Sequence, residues 1–156
     1  MTARARRILG AVVLTALLGP LVVDWLWVTD EERVVATLDA MEKALEARDA
    51  AAATSWFSSS VTTKRPLPGL SPRVPLKEGL APLLERLEKL AIDREDTQVV
   101  FPERGKAAVT ISGTFFIQVR EGGLPFKFRL EATLGEEGER WLLESVDSFS
   151  YGLLAG

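Results

Sequence analysis

Histidine and cysteine, the residue types that most often serve as bases, nucleophiles and metal ligands, are both absent from this 156-residue chain. Their absence excludes a Ser-His-Asp triad, a thiolate nucleophile, disulfides, and zinc sites built from these residues. It also excludes a lipid anchor carried on a cysteine. Carboxylates, serines and glycines are therefore the residues whose spacing decides what chemistry is left.

Three local groups of such residues have simple structural interpretations. Asp93, Glu95 and Asp96 lack the Asp-x-Asp-x-Asp-Gly loop of a calcium site, and we predict a solvated turn there, between a helix and a strand. The serines at 58–60 have no histidine to activate them. The glycines at 122–123 are not followed by the lysine and helix of a phosphate-binding loop. We therefore expect no metal and no cofactor.

The N-terminal residues predict a membrane anchor. Residues 1–7 form a basic region with three arginines, and residues 8–28 are apolar except for Asp24. A helix of that length reaches roughly 30 Å, the thickness of a hydrocarbon core. Because basic residues stay on the cytoplasmic side, we expect an uncleaved signal-anchor in the cell (inner) membrane, a cytoplasmic N-terminus, and an extracytoplasmic domain over residues 29–156.

Two alternatives to the anchor are weaker on the residues. A cleaved signal peptide needs small residues just behind the apolar run, and Leu18–Asp24 is a poor cleavage site. A buried helix of a soluble domain conflicts with the arginines and with Pro20.

The charge of the outer domain limits its partners. Residues 30–156 carry 16 basic and 21 acidic residues. This acidic balance, without a basic stripe, argues against binding to nucleic acid or to anionic lipid headgroups.

Apolar spacing predicts helices in the first half of this domain. Thr29–Glu32 is typical of a capping box, and an amphipathic helix follows it and ends near Arg48 and Asp49. A second short helix is predicted over 50–57, and a proline-rich loop over 58–75. A leucine-rich helix is predicted over 76–90.

From about Thr97 the apolar period changes from 3.6 to 2, which predicts strands. Strands joined by short glycine-containing turns must be antiparallel neighbours. Gly113, in the middle of the longest strand, predicts a bulge or bend. The predicted class is α+β, with three helices packed on a curved four-stranded antiparallel sheet.

The order of these elements and three stretches of sequence resemble the NTF2-like superfamily, a cone-shaped (cystatin-like) fold that includes SnoaL-like and ketosteroid-isomerase-like proteins. The stretches are Leu38–Asp49, with an Arg-Asp break before an aromatic pair, the long strand Ala107–Val119, and Gly138–Val146, with a Gly-x-x-Trp entry to the last strand. Together they cover residues 30–151. Membrane-anchored members of this superfamily occur, so an anchor is compatible with the resemblance.

The resemblance also implies a place for catalysis, because the superfamily's enzymes hold an aspartate inside the cone, often beside histidine or tyrosine. Asp147 is then the candidate general base, and Tyr151 or Arg129 is the candidate group for stabilising an oxyanion. Both faces of the last strand mix polar and apolar residues, so the pattern leaves open whether Asp147 points inward.

A binding role is the preferred hypothesis. We expect a non-catalytic binding or assembly module at the cell envelope. The alternatives are a SnoaL-like or ketosteroid-isomerase-like enzyme and a carrier of a small hydrophobic ligand. The candidate ligand-binding residues, with the loop 58–75 as a lid, are Trp56, Phe57, Trp141 and Phe116.

One face of the long strand is a candidate interface. By resemblance, this face mediates homodimerisation or contact with an envelope-complex partner, and the alternative is ordinary solvent exposure. Its residues are Thr110, Ser112, Thr114, Phe116 and Gln118.

Overall fold

The computed structural model describes residues 28–154 together with Ala16. By its internal contacts the chain divides into units 1–32 and 33–156, and the whole sheet belongs to the second. The predicted anchor at 8–28 lies outside the described residues, apart from Ala16 and Val28. Among the described residues, no helix has the length and apolar character that a membrane crossing requires.

Within residues 28–154 the chain forms an α+β fold of three helices and five strands. In chain order these elements are α1 (Asp30–Glu46), α2 (Ala50–Thr54), β1 (Phe57–Thr63), α3 (Leu76–Glu85), β2 (Lys89–Glu103), β3 (Lys106–Val119), β4 (Gly122–Glu137) and β5 (Arg140–Leu153).

Helix α1 begins at the predicted capping box. The Thr29 backbone N–H donates to Glu32 Oε2 at 2.8 Å, and the Glu32 N–H donates to Thr29 Oγ1 at 3.2 Å. The chain leaves this helix at Arg48, which has a left-handed φ of 55°. Asp49 then caps α2 by accepting from the Ala52 N–H at 3.0 Å. The predicted break near Arg48 and Asp49 is therefore confirmed.

The sheet has the strand order β1-β5-β4-β3-β2. Strands β2 to β5 form the predicted antiparallel meander. The prediction of four strands is wrong, because Phe57–Thr63 adds a fifth that pairs in parallel with β5. The serines of this segment predict the end of a helix followed by a loop. Its β-branched residues suit an edge strand once β5 provides a partner.

The third helix is shorter than predicted and the sheet begins earlier. Helix α3 ends at Glu85, three residues after Pro82, which has no N–H to donate to the helix. Leu90, predicted as helical, lies in β2 opposite Ile117. Asp93, Glu95 and Asp96 therefore lie within a strand, and the predicted solvated turn is wrong.

The face of the sheet that packs against α1 and α3 is called the core face below, and the opposite one the outer face. The helices bury apolar residues such as Leu38 and Leu84 against this face, and the sheet contributes Val109 and Leu134. Burying these side chains is the main source of the domain's stability.

Strand β5 departs from simple alternation at two bulges. Thr133 pairs with Ser145 and Ala132 with Val146, which leaves Glu144 and Asp147 as extra residues. Each bulge allows two consecutive side chains to point away from the core. The mixed faces seen in the sequence of this strand result from these bulges.

Candidate ligand cavity

A cavity of about 240 Å³ lies between the helices and the core face of the sheet. Its wall is almost entirely apolar, and it includes two charged side chains, Glu42 and Arg94. The sixteen lining residues are Leu38, Met41, Glu42, Leu45, Ala53, Phe57, Leu76, Leu80, Ile92, Arg94, Ile111, Phe128, Leu130, Ala132, Leu143 and Val146.

Arg94 reaches the cavity because of its place in β2. Leu90 lies opposite Ile117 and Ile92 opposite Phe115, so alternate residues of this strand face the core. Arg94 is the next residue in that series. It is mostly buried, with 16% of its side chain exposed.

Gly113 makes room for this arrangement on the neighbouring strand. It lies opposite Arg94, and the register then shifts so that Glu95 of β2 is an extra residue. The predicted bulge therefore occurs at the level of Gly113, with its extra residue in the neighbouring strand. A Cβ at Gly113 would collide with the carbonyl oxygen of Asp93. The bulge therefore requires glycine at this position.

The Arg94 guanidinium is held by two carboxylates of α1. Its Nε lies 3.3 Å from Glu42 Oε2, and its Nη2 donates to Asp39 Oδ1. Glu46, one turn further on, accepts from the Ile92 N–H at 2.8 Å. Together these contacts fix α1 over the middle of β2.

One Arg94 nitrogen has no acceptor among the described residues. Nη1 is buried, and no hydrogen-bond partner for it is found in the described part of the chain. A buried donor without a partner is unusual in a folded protein, because a donor that makes no hydrogen bond has a free-energy cost of about 1–3 kcal/mol.

Burial raises the pKa of the Glu42 carboxyl above its ordinary value, since the charged form loses hydration. The Arg94 guanidinium acts in the opposite direction, and the carboxylates of Glu46, Asp39 and Asp93 add to the increase. The surroundings of Glu42 are therefore net acidic.

Asp147, the candidate general base, does not line this cavity. It lies at a bulge of β5, where its carboxylate accepts from Ser145 Oγ at 2.7 Å and from Thr133 Oγ1 at 2.8 Å. Lys64 Nζ lies 2.9 Å from Asp147 Oδ1. Although burial acts to raise its pKa, these three donors together lower it. A lowered pKa is unfavourable for a base that must take up a proton near neutral pH.

The two oxyanion candidates are also separated from Asp147 and from each other. Tyr151 lies opposite Phe128 on the core face, where its ring packs against Phe126 and Phe149 and is not part of the cavity wall. Arg129 lies opposite Ser150 on the outer face, where its Nε pairs with Glu131 at 3.4 Å. The described structure does not bring the three predicted catalytic residues together.

Of the four predicted ligand-binding residues, Phe57 lies in the cavity wall. Trp56 lies beside it in the chain, but its ring faces the Arg140 guanidinium at 4.4 Å. Trp141 is only 2% exposed and packs edge-on against Phe101. Phe116 points to the outer face, where its ring covers Gly123.

The five predicted interface residues share the outer face of β3, as the alternation predicted, and all are half-buried. Charged side chains stand beside them on the neighbouring strands, including Asp96, Lys127 and Arg129. Their role as an interface stays a prediction.

Sequence reasoning missed the two charged cavity residues, Glu42 and Arg94. Two signals point to them. Asp39, Glu42 and Glu46 are spaced three and four residues apart, which places them on one side of α1. Arg94 continues the alternation that begins at Leu90, once β2 is taken to start at Lys89.

No protein-family model and no curated protein matches this sequence. Solved structures do match the fold. One is assigned as a dehydratase of the NTF2-like family from Streptomyces avermitilis, with a TM-score of 0.65 and 17% identity over 80% of this chain and 96% of the other.

Two further matches have different assigned roles. A type 2 hexachlorocyclohexane dehydrochlorinase has a TM-score of 0.62 and 12% identity, over 82% of this chain and 95% of the other. A protein from Xanthomonas campestris, assigned as a calcium/calmodulin-dependent protein kinase II association domain, has a TM-score of 0.63 and 15% identity, over 77% and 86%. At such low identity these matches establish the fold alone, and the chain has the NTF2-like fold.

Proposed function

We propose that this domain is a non-catalytic binding module whose cavity holds a small, largely apolar molecule. The observation that carries the proposal is the cavity wall, in which all lining residues except Glu42 and Arg94 are apolar. An apolar cavity of about 150 Å³ takes benzene, so one of about 240 Å³ has room for roughly ten non-hydrogen atoms.

We further propose that residues 8–28 anchor the module in the membrane, with the domain outside. The arginines at the N-terminus and the apolar run that follows support this placement. A C-terminal alkaline phosphatase fusion should be active when expressed in a bacterium, because this enzyme requires the extracytoplasmic compartment. An inactive alkaline phosphatase fusion, together with an active fusion to a reporter that works only in the cytoplasm, would overturn the placement.

The cavity can be tested by methyl NMR on the full chain in detergent. The sequence has four isoleucines, of which Ile92 and Ile111 line the cavity and Ile117 does not. The probe is α-methylstyrene, an apolar molecule of the right size. We expect it to shift the methyl signals of Ile92 and Ile111 saturably and to leave Ile117 unchanged.

Matched alanine substitutions provide the control. Ala132 lies in the cavity wall and is 3% exposed, whereas Ala108 lies on the outer face opposite Thr133. Ala132→Leu should fill the cavity and abolish the response to the probe, and Ala108→Leu should preserve it. If the probe affects both variants equally, it binds elsewhere and the proposal is wrong.

A second candidate function is acid–base catalysis, and the raised pKa of Glu42 favours Glu42 over Asp147 as its base. The test is exchange of the methyl hydrogens of acetophenone for deuterium in heavy water. Faster exchange with the wild-type protein than with Glu42→Gln would favour catalysis. Equal rates would leave the binding module as the better account.

A further inference from the structure

The core face of the sheet extends beyond the end of helix α1. Near the end of this helix, Glu46 accepts from the Ile92 N–H at 2.8 Å. The row of residues that begins at Ile92 crosses the sheet through Phe115 and Phe126 to Leu153, and β2, β3 and β4 continue past it. Helix α1 therefore leaves the last rows of this face uncovered.

Exposed apolar side chains are concentrated at this end of the sheet. Of the eight large apolar residues that are exposed in the described part of the chain, four lie where the end of β3, the start of β4 and the end of β5 adjoin. These four side chains are 39% to 63% exposed, and two half-buried phenylalanines lie among them. We call this surface the end patch, and its residues are Val119, Leu124, Phe126, Phe149, Tyr151 and Leu153.

The aromatic rings of the end patch pack against one another. The ring centroid of Tyr151 lies 5.7 Å from that of Phe126 and 5.8 Å from that of Phe149. None of the six residues belongs to the cavity wall. Aromatic side chains that are already held in place lose little entropy on contact and are common at the centre of protein interfaces. The end patch is therefore a preformed apolar surface, separate from the ligand cavity.

The area of the end patch suits a dimer. An aromatic side chain covers about 150–250 Å² and leucine somewhat less, so four side chains at these exposures present roughly 400 Å² of apolar surface. Contact between two copies would bury roughly 800 Å² of apolar surface, and because interfaces are about 60% apolar, the total would be near 1,300 Å². Specific protein interfaces bury about 1,200–2,000 Å² in total.

The charges beside the end patch are of both signs. Arg120 and Glu121 form the turn between β3 and β4, and Glu88 and Lys89 lie next to Gln118 at the start of β2. All four charged residues are exposed. A strongly charged partner or an anionic lipid surface would match a rim of one sign. A rim with two acids and two bases instead matches itself, because a two-fold axis can bring opposite charges together.

We infer that a second copy of this chain covers the end patch, so that the protein forms a two-fold symmetric dimer through this end of the core face. The inference is independent of the proposed ligand. It also differs from the predicted interface on β3, because that interface lies on the outer face of the sheet.

Cross-linking can test this dimer directly because the chain contains no cysteine. A single introduced cysteine is then the only thiol that a bismaleimide reagent can link to another copy. The full chain is cross-linked in a detergent-free bacterial lysate, since detergent would itself cover an apolar patch. Leu124→Cys should give a product of twice the chain mass. Val100→Cys is the matched control, because Val100 is 61% exposed but lies in β2 opposite Ala108, on the outer face.

A charge introduced into the end patch should separate the copies. Leu153→Arg, added to the Leu124→Cys variant, should reduce the doubled product about tenfold or more, because the symmetry buries an unpaired charge twice. Leu153 is largely exposed, so the fold should tolerate the change. Val100→Arg in the same Leu124→Cys variant should leave the yield unchanged.

Four results would overturn the inference. Equal yields from Leu124→Cys and Val100→Cys would show random collision. A Leu124→Cys product of another mass would show that a different protein covers the end patch. A doubled product from Thr114→Cys but none from Leu124→Cys would place the dimer on the outer face. No product from either variant, with the Leu124→Cys thiol protected from a monofunctional maleimide only in membranes, would indicate that the bilayer covers the patch.

Discussion

Two carboxylates, Glu42 on helix α1 and Asp147 on the outer face of the sheet, each pair with a basic side chain, yet their pKa values move in opposite directions. Asp147 accepts from Thr133, from Ser145 and from Lys64. Glu42 has one contact with Arg94, whose guanidinium is shared with Asp39.

The comparison shows that a salt bridge alone does not decide the protonation of a partly buried carboxyl. Burial acts to raise the pKa at both positions, and only at Asp147 do enough donors surround the charged form to reverse the effect. The region with complete hydrogen bonding stabilises the fold. The region with incomplete hydrogen bonding contains Glu42 and Arg94, which line the cavity. There Arg94 Nη1 has no acceptor among the described residues.

The largest effect is expected from Gly113→Ala, which should disrupt the bulge that positions Arg94. The added Cβ would meet backbone atoms of Asp93, Arg94 and Glu95, which no side-chain rotation can move away. We expect a loss of roughly 2–3 kcal/mol in the free energy of unfolding, measured by chemical denaturation.

Gly152→Ala is the matched control for that substitution. Gly152 lies in β5, and a Cβ there would meet nothing within 4 Å. Its free energy of unfolding should stay close to that of the wild-type protein. A similar loss in both variants would show that the bulge at Gly113 is not the cause.

A smaller effect is expected from exchanging each carboxylate for its amide. Asp147→Asn removes a charged acceptor that holds three donors, and should lower the free energy of unfolding by about 1–2 kcal/mol. Glu42→Gln relieves a buried charge while Arg94 keeps Asp39, and should change it by less than about 1 kcal/mol. Equal losses in the two variants would contradict the comparison.

The smallest effect is expected in the pH dependence of stability, where the two carboxyls act in opposite directions. Asp147 has a lowered pKa, so its contribution is present above its ordinary value of 3.8 and is lost as pH falls through the folded-state value. Glu42 has a raised pKa, so its contribution is present below 4.5 and is lost as pH rises through the folded-state value.

Denaturation curves from about pH 3 to about pH 7 can separate these two contributions. Asp147→Asn should flatten the acid side of the profile, and Glu42→Gln should remove the decline that begins above 4.5. An unchanged profile in either variant would show that its carboxyl is not shifted as described.

Local signals predicted much of this fold. The capping box at Thr29, the break at Arg48 and the bulge at Gly113 depend on residues close in sequence, and all three are confirmed. Strand β1 escaped prediction because its serines and threonines suit an edge strand only once β5 is beside them. The sequence pattern left the direction of Asp147 open, and the bulge at this residue turns its carboxylate to the outer face.

The site was harder to predict than the fold because it combines distant segments. Arg94 acquires its role from carboxylates 52 and 55 residues earlier in the chain, and nothing in its own neighbourhood indicates them. The change of apolar period near Thr97 predicts a sheet that begins after Arg94, whereas Ile92 and Arg94 both lie in β2.

The parallel pairing of β1 with β5 has a consequence for how the chain folds during synthesis. Phe57 pairs with Leu143, and the Thr37 hydroxyl of α1 lies 3.4 Å from the carbonyl oxygen of Trp141. These partners are more than 80 residues apart, so β1 and α1 can complete their contacts with β5 only after β5 has left the ribosome. The apolar faces of the helices therefore need protection until β5 is in place.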